Sequence, residues 1–497
     1  MADQQGDPGY ERLGSSKLTL IDCIAQSVGF MGPVFSAAFI IPLIIGVNAA
    51  ARGAGTSAPL AVLLAGVGTF ALGWIVAEYA KRIHAAGSLY DYVSDGLGTT
   101  IGAAAGWLYY GGTIILTTGL GLLIGGYVHD NLLPAFDVTG GLMPIWAWQV
   151  LFAVGLFLVL YFGVQISTRV QLTLALISVA VVLVYFLSVI IRLGGDNDFA
   201  KAFNPNPEPD GFTGILFGVL YGVLIFVGFE TAANLAEETA EPKKSIPRAV
   251  LLSVVVVSVF YIIAAYTEIA GFGFDMSVIT SPEVAGAPLF ALGAPGGEFG
   301  SDFVLKLLLV VVFLDMLAVY VGAGVASTRG VFAMARDRRL PEMAAGVSPR
   351  YGTPVGAIVL LMVVQALLIA ASEWWDALFA LEGLPHYFSL FAWCATFGGF
   401  ALIVVYFLMS IGAFKGLADD PAKGKLTVAA ILGIVITGAA IFGSFYKVPS
   451  PTILAPWYAV IWFVLGLVVM FLVKGREPAS TALADLRSGM ELDGKEV

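Results

Sequence analysis

Cysteine, charge and the usual catalytic motifs are all scarce in this chain. Its two cysteines, Cys23 and Cys394, both sit in apolar runs, where they read as packed thiols rather than as a disulfide or metal site. No HExxH, GxSxG or CxxC stands in a usable context, so no catalytic constellation is found and an enzyme is not expected. A P-loop of the form GxxxxGK[ST] is also missing, and no soluble domain interrupts the chain, which argues against ATP-driven pumping. No cofactor is expected beyond a coupling H+ or Na+. Charged residues make up 12% of the 497 positions against 59% hydrophobic, with a mean hydropathy of +0.90. These values lie far outside those of a soluble domain and define an integral membrane protein. A net charge of −10 speaks against nucleic acid or an anionic membrane surface as partner. The polar amino-terminal stretch lacks a basic-then-apolar signal pattern, so it is expected to stay uncleaved in the cytoplasm.

What is abundant is long apolar runs. Runs of roughly 18 or more residues fall near 20–46, 58–81, 97–128, 146–163, 167–192, 213–237, 247–272, 302–335, 354–371, 386–412, 425–446 and 455–474, twelve expected spans in an all-helical protein. Placing both termini inside leaves about five basic residues outside, Arg52, Arg192, Lys201, Lys306 and Lys447, against about twenty inside. The inner clusters, including Lys243-Lys244-Arg248 and Arg336-Arg338-Arg339, read as topology anchors. The expected setting is a plasma or inner membrane crossed many times. The outer loops 193–212 and 272–301 read as ordered or semi-ordered caps, and the charged tail from 475 onward as disordered.

Two of the runs carry the same interruption. Val28-Gly29-Phe30 lies inside the first and Val227-Gly228-Phe229 inside the sixth, about two hundred residues apart, as when matching helices of two halves are both broken. In SVGFMGPVFSAAFIIP, Gly29 and Gly32 permit unusual dihedrals, and Pro33 removes a backbone donor. A break in a bilayer survives only where protein, water or ligand satisfies the freed backbone groups. The half-helix that starts at Pro33 offers free N–H groups and a positive dipole end, which suits a carboxylate. Glu230 sits at the second break, and Phe30, Phe226 and Phe229 flank the two breaks as candidate gates.

The run VGFETAANLAEETAEPKKSIPRAV (227–250) resembles the sixth-helix signature of the amino acid-polyamine-organocation permeases. AAGSLYDYVSDGLG (85–98) is similar to that family's loop after the second helix, and TRGVFAMARDRRLP (328–341) to the end of its eighth. Together the three motifs cover roughly 20–412 and point to the superfamily without naming a substrate. The resemblance implies the LeuT-like fold: about twelve transmembrane helices in a five-plus-five inverted repeat (20–195 and 213–412) with broken first and sixth helices. A loop at 196–212 would separate the repeats, two helices would be added over 413–474, and tails 1–19 and 475–497 would lie in the cytoplasm.

By the same resemblance the substrate, a small molecule, lies among Gly29, Phe30, Met31 and Gly32 of the first helix and Leu224, Ile225, Val227, Gly228 and Phe229 of the sixth. Phe226 and Glu230 would gate or order the break. The chain has Met31-Gly32-Pro33 where many relatives have a Gly-Ser-Gly turn, so one carboxylate-binding N–H is lost. Asp315, deep in the eighth run, falls near the place where sodium-coupled relatives bind sodium; Ser178 aligns with a lysine of proton-coupled ones. With Ser178 and the carbonyls near Ser27, Asp315 can hold sodium or act as a protonatable switch, or it can be bonded to a neighbouring helix for packing. Glu78 reads as an inner-end ion pair with Lys81 or Arg82, and Glu268 and Glu382 as acids toward the outside, either solvated or forming a vestibule that attracts cations. The expected function is secondary active transport of amino acids by alternating access, coupled to H+ or Na+. An organic amine or polyamine permease and an uncoupled exchanger are the alternatives, and a channel or nutrient sensor is the alternative of another class.

Overall fold

Helix α1 (Leu20–Met31) begins under a reciprocal cap, in which the Thr19 side chain accepts from the Asp22 amide while Asp22 accepts from that of Thr19. It stops at Gly32, whose φ of 56° lies in the left-handed region, and Pro33 opens α2 (Pro33–Phe39). Pro33 has no N–H to lose at a first helical position, so the sequence both breaks and restarts the helix there. The computed structural model describes residues 13, 18–46, 53–207, 210–374, 385–446, 448 and 450–473, side chains at 164–167 and 374 excepted. Arg52, Lys447, Glu382, the tail from 475 onward and the amino-terminal tail apart from residues 13, 18 and 19 therefore lie outside the described residues.

Further along run α3 (Ala58–Ala80), α4 (Leu89–Leu97), α5 (Thr99–Tyr127), α6 (Ile145–Phe162) and α7 (Val164–Leu193). The second half holds α8 (Gly211–Leu224), α9 (Pro242–Ala270), α10 (Asp302–Arg336), α11 (Val355–Trp374) and α12 (His386–Gly416), followed by α13 (Lys423–Gly443) and α14 (Leu454–Leu472). Each half thus has five crossings and begins with a broken one, and two helices are added. Among the described residues there is no strand, only an isolated parallel bridge from Leu18 to Thr239.

Among the described residues, eleven helices are long and apolar enough to cross a bilayer. The sixth expected span, 213–237, is the exception: helix α8 ends at Leu224, and a 3-10 segment, Thr231–Glu238, resumes after an irregular turn. The twelfth crossing is therefore present but divided, as the interruption at Gly228 leads one to expect. α5 and α12 form the centre and pack extensively on each other. Small residues let their backbones meet: a Cβ at Gly398 would sit 2.8 Å from the Gly112 carbonyl. α6, α7, α11, α13 and α14 turn Val154, Val184, Leu367, Val435 and Val468 outward, a rim suited to acyl chains and wasted in water.

Candidate functional site

The two breaks face each other and are laced together by backbone groups that neither helix can satisfy internally. At the first, the amides of Val34 and Phe35 open α2 and both donate to Asp315 Oδ2 on α10, at 2.9 and 2.8 Å. At the second, Gly228 adopts a φ of 108°, and a Cβ there would lie 2.8 Å from Phe30 Cγ. Phe30 therefore covers the second break from the first. Ser27 Oγ donates to the Phe229 carbonyl at 2.8 Å and accepts from the Ala232 amide at 3.2 Å. The Tyr261 hydroxyl on α9 lies 2.7 Å from the Ile225 carbonyl and 3.1 Å from that of Met31, so one hydrogen serves the carbonyl ends of both breaks.

Of the residues inferred from sequence, Gly29, Phe30, Met31, Gly32, Ile225, Val227, Gly228 and Phe229 are buried. Phe226 is buried with its ring edge-on to Tyr261 at 5.4 Å. Leu224 is half-buried and packs with Val223, Ile403 and Ala440, toward α12. Glu230 accepts from Tyr109 at 2.5 Å and from Tyr406 at 2.7 Å, which pins the second break to α5 and α12. Ser178 donates to Leu174 of its own helix. No hydrogen bond links Asp315, Ser178 and Ser27, because each is engaged elsewhere.

Sequence reasoning missed Tyr261, Tyr109, Tyr406 and a pair of glutamines. Gln26 donates to the Gly322 carbonyl at 2.9 Å, Gln171 donates to Gln26 Oε1 at 3.2 Å, and a Cβ at Gly29 would meet Gln171 Oε1 at 2.9 Å. An amide inside an apolar run was the available signal, since buried polar groups need partners.

The three motifs that carried the family resemblance converge at the end of the bundle where α10 finishes. Arg329 pairs with Glu238 at 2.7 Å, both side chains nearly inaccessible, and Arg336 with Glu237 at 2.8 Å. Glu237 also accepts from the Ala86 amide, Asn234 donates to the Ala86 carbonyl, and Tyr90 donates to Asp337. Arg336 is thus no simple topology anchor: its guanidinium crosses to the segment after the second break. Glu78 does pair with Lys81, at 2.6 Å. Glu268, expected toward the outside in water or a vestibule, is instead fully buried, with no hydrogen-bond partner for either oxygen among the described residues.

A helical membrane bundle whose two halves each open on a broken crossing, with the breaks face to face, defines a solute transporter of the inverted-repeat class. The chain belongs to the amino acid permease family, whose model matches residues 28–418. It is similar to a branched-chain amino acid permease of Lactococcus lactis subsp. cremoris, 24% identical over 92% of this chain and 94% of that one. It is also similar to the methylthioribose transporter of Bacillus subtilis, 25% identical over 85% and 87%. Among solved structures it shares its fold with a manganese transporter mutant of Eremococcus coleocola, at a TM-score of 0.55 and 14% identity, covering 93% of this chain and 97% of that one.

Proposed function

We propose that the chain is a secondary active transporter that moves an amino acid by alternating access, driven by a H+ or Na+ gradient. The observation that carries this reading is the pair of facing breaks, whose peptide groups are served by Asp315, Ser27 and Tyr261. Irregular backbone at this depth survives only where it is buried in protein or lines a cavity, and membership of a permease family supports the second role beside the first. The relatives' names include both branched-chain amino acids and methylthioribose, so the substrate has to be argued from the site. Within the proposed coupling set Asp315 is the charged member, and its Oδ1 has no hydrogen-bond partner among the described residues. A carboxylate at membrane depth costs several kcal/mol unless neutralised, and a proton or sodium ion would do so. The arginine-bearing end is assigned to the cytoplasm of a plasma or inner membrane, with both termini on that side. Transport rather than catalysis is the assigned role.

The test is uptake into proteoliposomes. Saturable uptake stimulated by internal substrate, and concentrative only under an ion gradient, supports a coupled carrier. Flux that does not saturate indicates a channel, and binding without flux indicates a sensor. Asp315→Asn is expected to abolish concentrative uptake while leaving counterflow measurable; unchanged concentrative uptake would remove Asp315 from the coupling.

A further inference from the structure

Away from the breaks, a cavity of about 600 Å³ lies between α6 and α11. Its lining repeats on both helices with one spacing: Trp146, Val150 and Phe157 on α6 stand at i, i+4 and i+11, and so do Met362, Ala366 and Glu373 on α11. Each set marks one face of its helix, and eleven residues at 1.5 Å each make a seam about 16 Å long. That is the depth of one leaflet, half of a hydrocarbon core of about 30 Å. Ala153, Ala366 and Ala370 are the small side chains that let the seam sink between the helices. Trp146, Val150 and Val154 are exposed, so the cavity opens toward lipid rather than toward the breaks.

Both polar members of the lining stand at one end. Helix α11 sets out from the end where α10 finishes, so Glu373 in its last turn lies at the opposite end, where α6 begins with Trp146 in its first turn. Glu373 is exposed, and among the described residues no ion pair engages its carboxylate. The stretches that adjoin this end in sequence, 128–144 before α6 and 374–385 after Glu373, hold acids and neither lysine nor arginine. Lys306, in the first turns of α10, is held by Asp302 at 2.8 Å. We propose that the seam binds one chain of an aminophospholipid, with the headgroup ammonium on Glu373 and the phosphate or ester oxygens on the Trp146 indole N–H. Charge selects the headgroup. A primary ammonium makes a charge-assisted bond to the carboxylate, a choline has no N–H to donate, and an anionic headgroup meets acids with no base beside them. Shape selects a chain: the volume spread over that length leaves a section about 6 Å across, enough for an acyl chain and too narrow for a helix, which measures about 10–12 Å with its side chains. Behind the seam, Gln365, next to Ala366, donates to the Tyr320 hydroxyl on α10, so a filled seam braces α6 and α11 against the helix that carries Asp315. The proposal does not depend on which solute the chain carries.

The experiment titrates the purified full-length chain in detergent with dioleoyl phosphatidylethanolamine, phosphatidylcholine and phosphatidylglycerol, counting bound lipid by native mass spectrometry and following the thermal unfolding midpoint. Phosphatidylethanolamine is expected to bind at one site about three- to tenfold more tightly than either of the others, and to raise the midpoint most. Glu373→Gln is expected to bring it down to the level of phosphatidylcholine while leaving phosphatidylcholine itself unchanged. Ala366→Trp, which fills the floor of the seam, should remove the site for all three. A measurement on the unaltered protein holds the test open if either variant fails to fold: phosphatidylethanolamine with a diazirine midway along its chain is expected to label 146–157 and 362–373 above the other lipid-facing segments. Equal binding of the three lipids, or label spread evenly around the rim, would mean annular lipid only and overturns the proposal. So does a preference for phosphatidylglycerol, or a preference for phosphatidylethanolamine that survives in Glu373→Gln.

Discussion

Gly228 holds two properties that no other residue can supply together: a φ of 108° and room for the Phe30 ring where a Cβ would stand. A side chain there must pay a left-handed backbone cost of roughly 1–2 kcal/mol and also displace Phe30 from the break. Gly228→Leu is therefore expected to abolish substrate binding while the protein still inserts and elutes as a single species; a well-folded variant with normal ligand-induced thermal shift would remove the basis for the site. Gly32 is as constrained, since a Cβ would lie 2.2 Å from Val319 Cγ2. The same scale yields a stability prediction at Glu268, whose two oxygens are buried without partners. An unsatisfied buried polar group costs about 1–3 kcal/mol, so Glu268→Leu should raise the thermal unfolding midpoint in detergent, and a lowered midpoint would show that the carboxyl has a stabilising partner. Glycine and proline were legible in the sequence because their effect is on their own backbone. Tyr261 was not, because a helix that is apolar on all sides gives no sign of which face meets the break; the amides of Gln26 and Gln171 signalled a buried polar contact but not its partner.

At the scale of elements, the decisive feature is that α8 stops at Leu224 and the chain resumes only as a 3-10 segment. From sequence alone 213–237 reads as one span, since apolar content does not distinguish a straight helix from a divided one. The location of the break was legible through the repeated Val-Gly-Phe triplet, whereas the form of the chain beyond it was not. Glu230 fixes that form by accepting hydrogen bonds from Tyr109 on α5 and Tyr406 on α12. Its carboxylate can accept from both hydroxyls, while a glutamine must turn its NH2 toward one of them. Losing one charge-assisted bond of this kind costs about 1.5–3 kcal/mol. Glu230→Gln is expected to lower both the unfolding midpoint and substrate affinity, and Tyr109→Phe to do so less, because it leaves the Tyr406 bond intact. Equal stability of wild type and Glu230→Gln would mean that the clamp does not hold the broken helix.

At the scale of the molecule, three motifs distant in sequence meet at one end of the bundle. Each was recognisable as a family signature, yet nothing in their composition says that they meet; that follows only when α10, the 85–98 stretch and the 3-10 segment are folded together. Their contacts include two ion pairs that water scarcely reaches, Arg329 with Glu238 and Arg336 with Glu237. The adjoining strand-like bridge joins Leu18 to Thr239. A buried pair adds little to stability compared with an apolar substitute, but removing one partner strands the other at a cost of about 3–5 kcal/mol. That cost falls on the closed arrangement alone if opening lets water reach Glu237. Alternating access then predicts that Arg336→Ala shifts the population toward the state open at this end, and the chain carries its own reporter. Cys23 is buried one turn into α1, with Sγ 3.4 Å from Thr239 Oγ1, behind the bridge that must part. In a Cys394→Ala background, the maleimide labelling rate of Cys23 should rise by roughly two to four orders of magnitude in Arg336→Ala, the population change that such an energy implies. Restoring charge balance with Glu237→Gln in the same chain should bring the rate most of the way back. Labelling that stays at the wild-type rate in Arg336→Ala would show that the arginines merely decorate this end, and that the gate is held by the apolar contacts around Leu18 and Leu235.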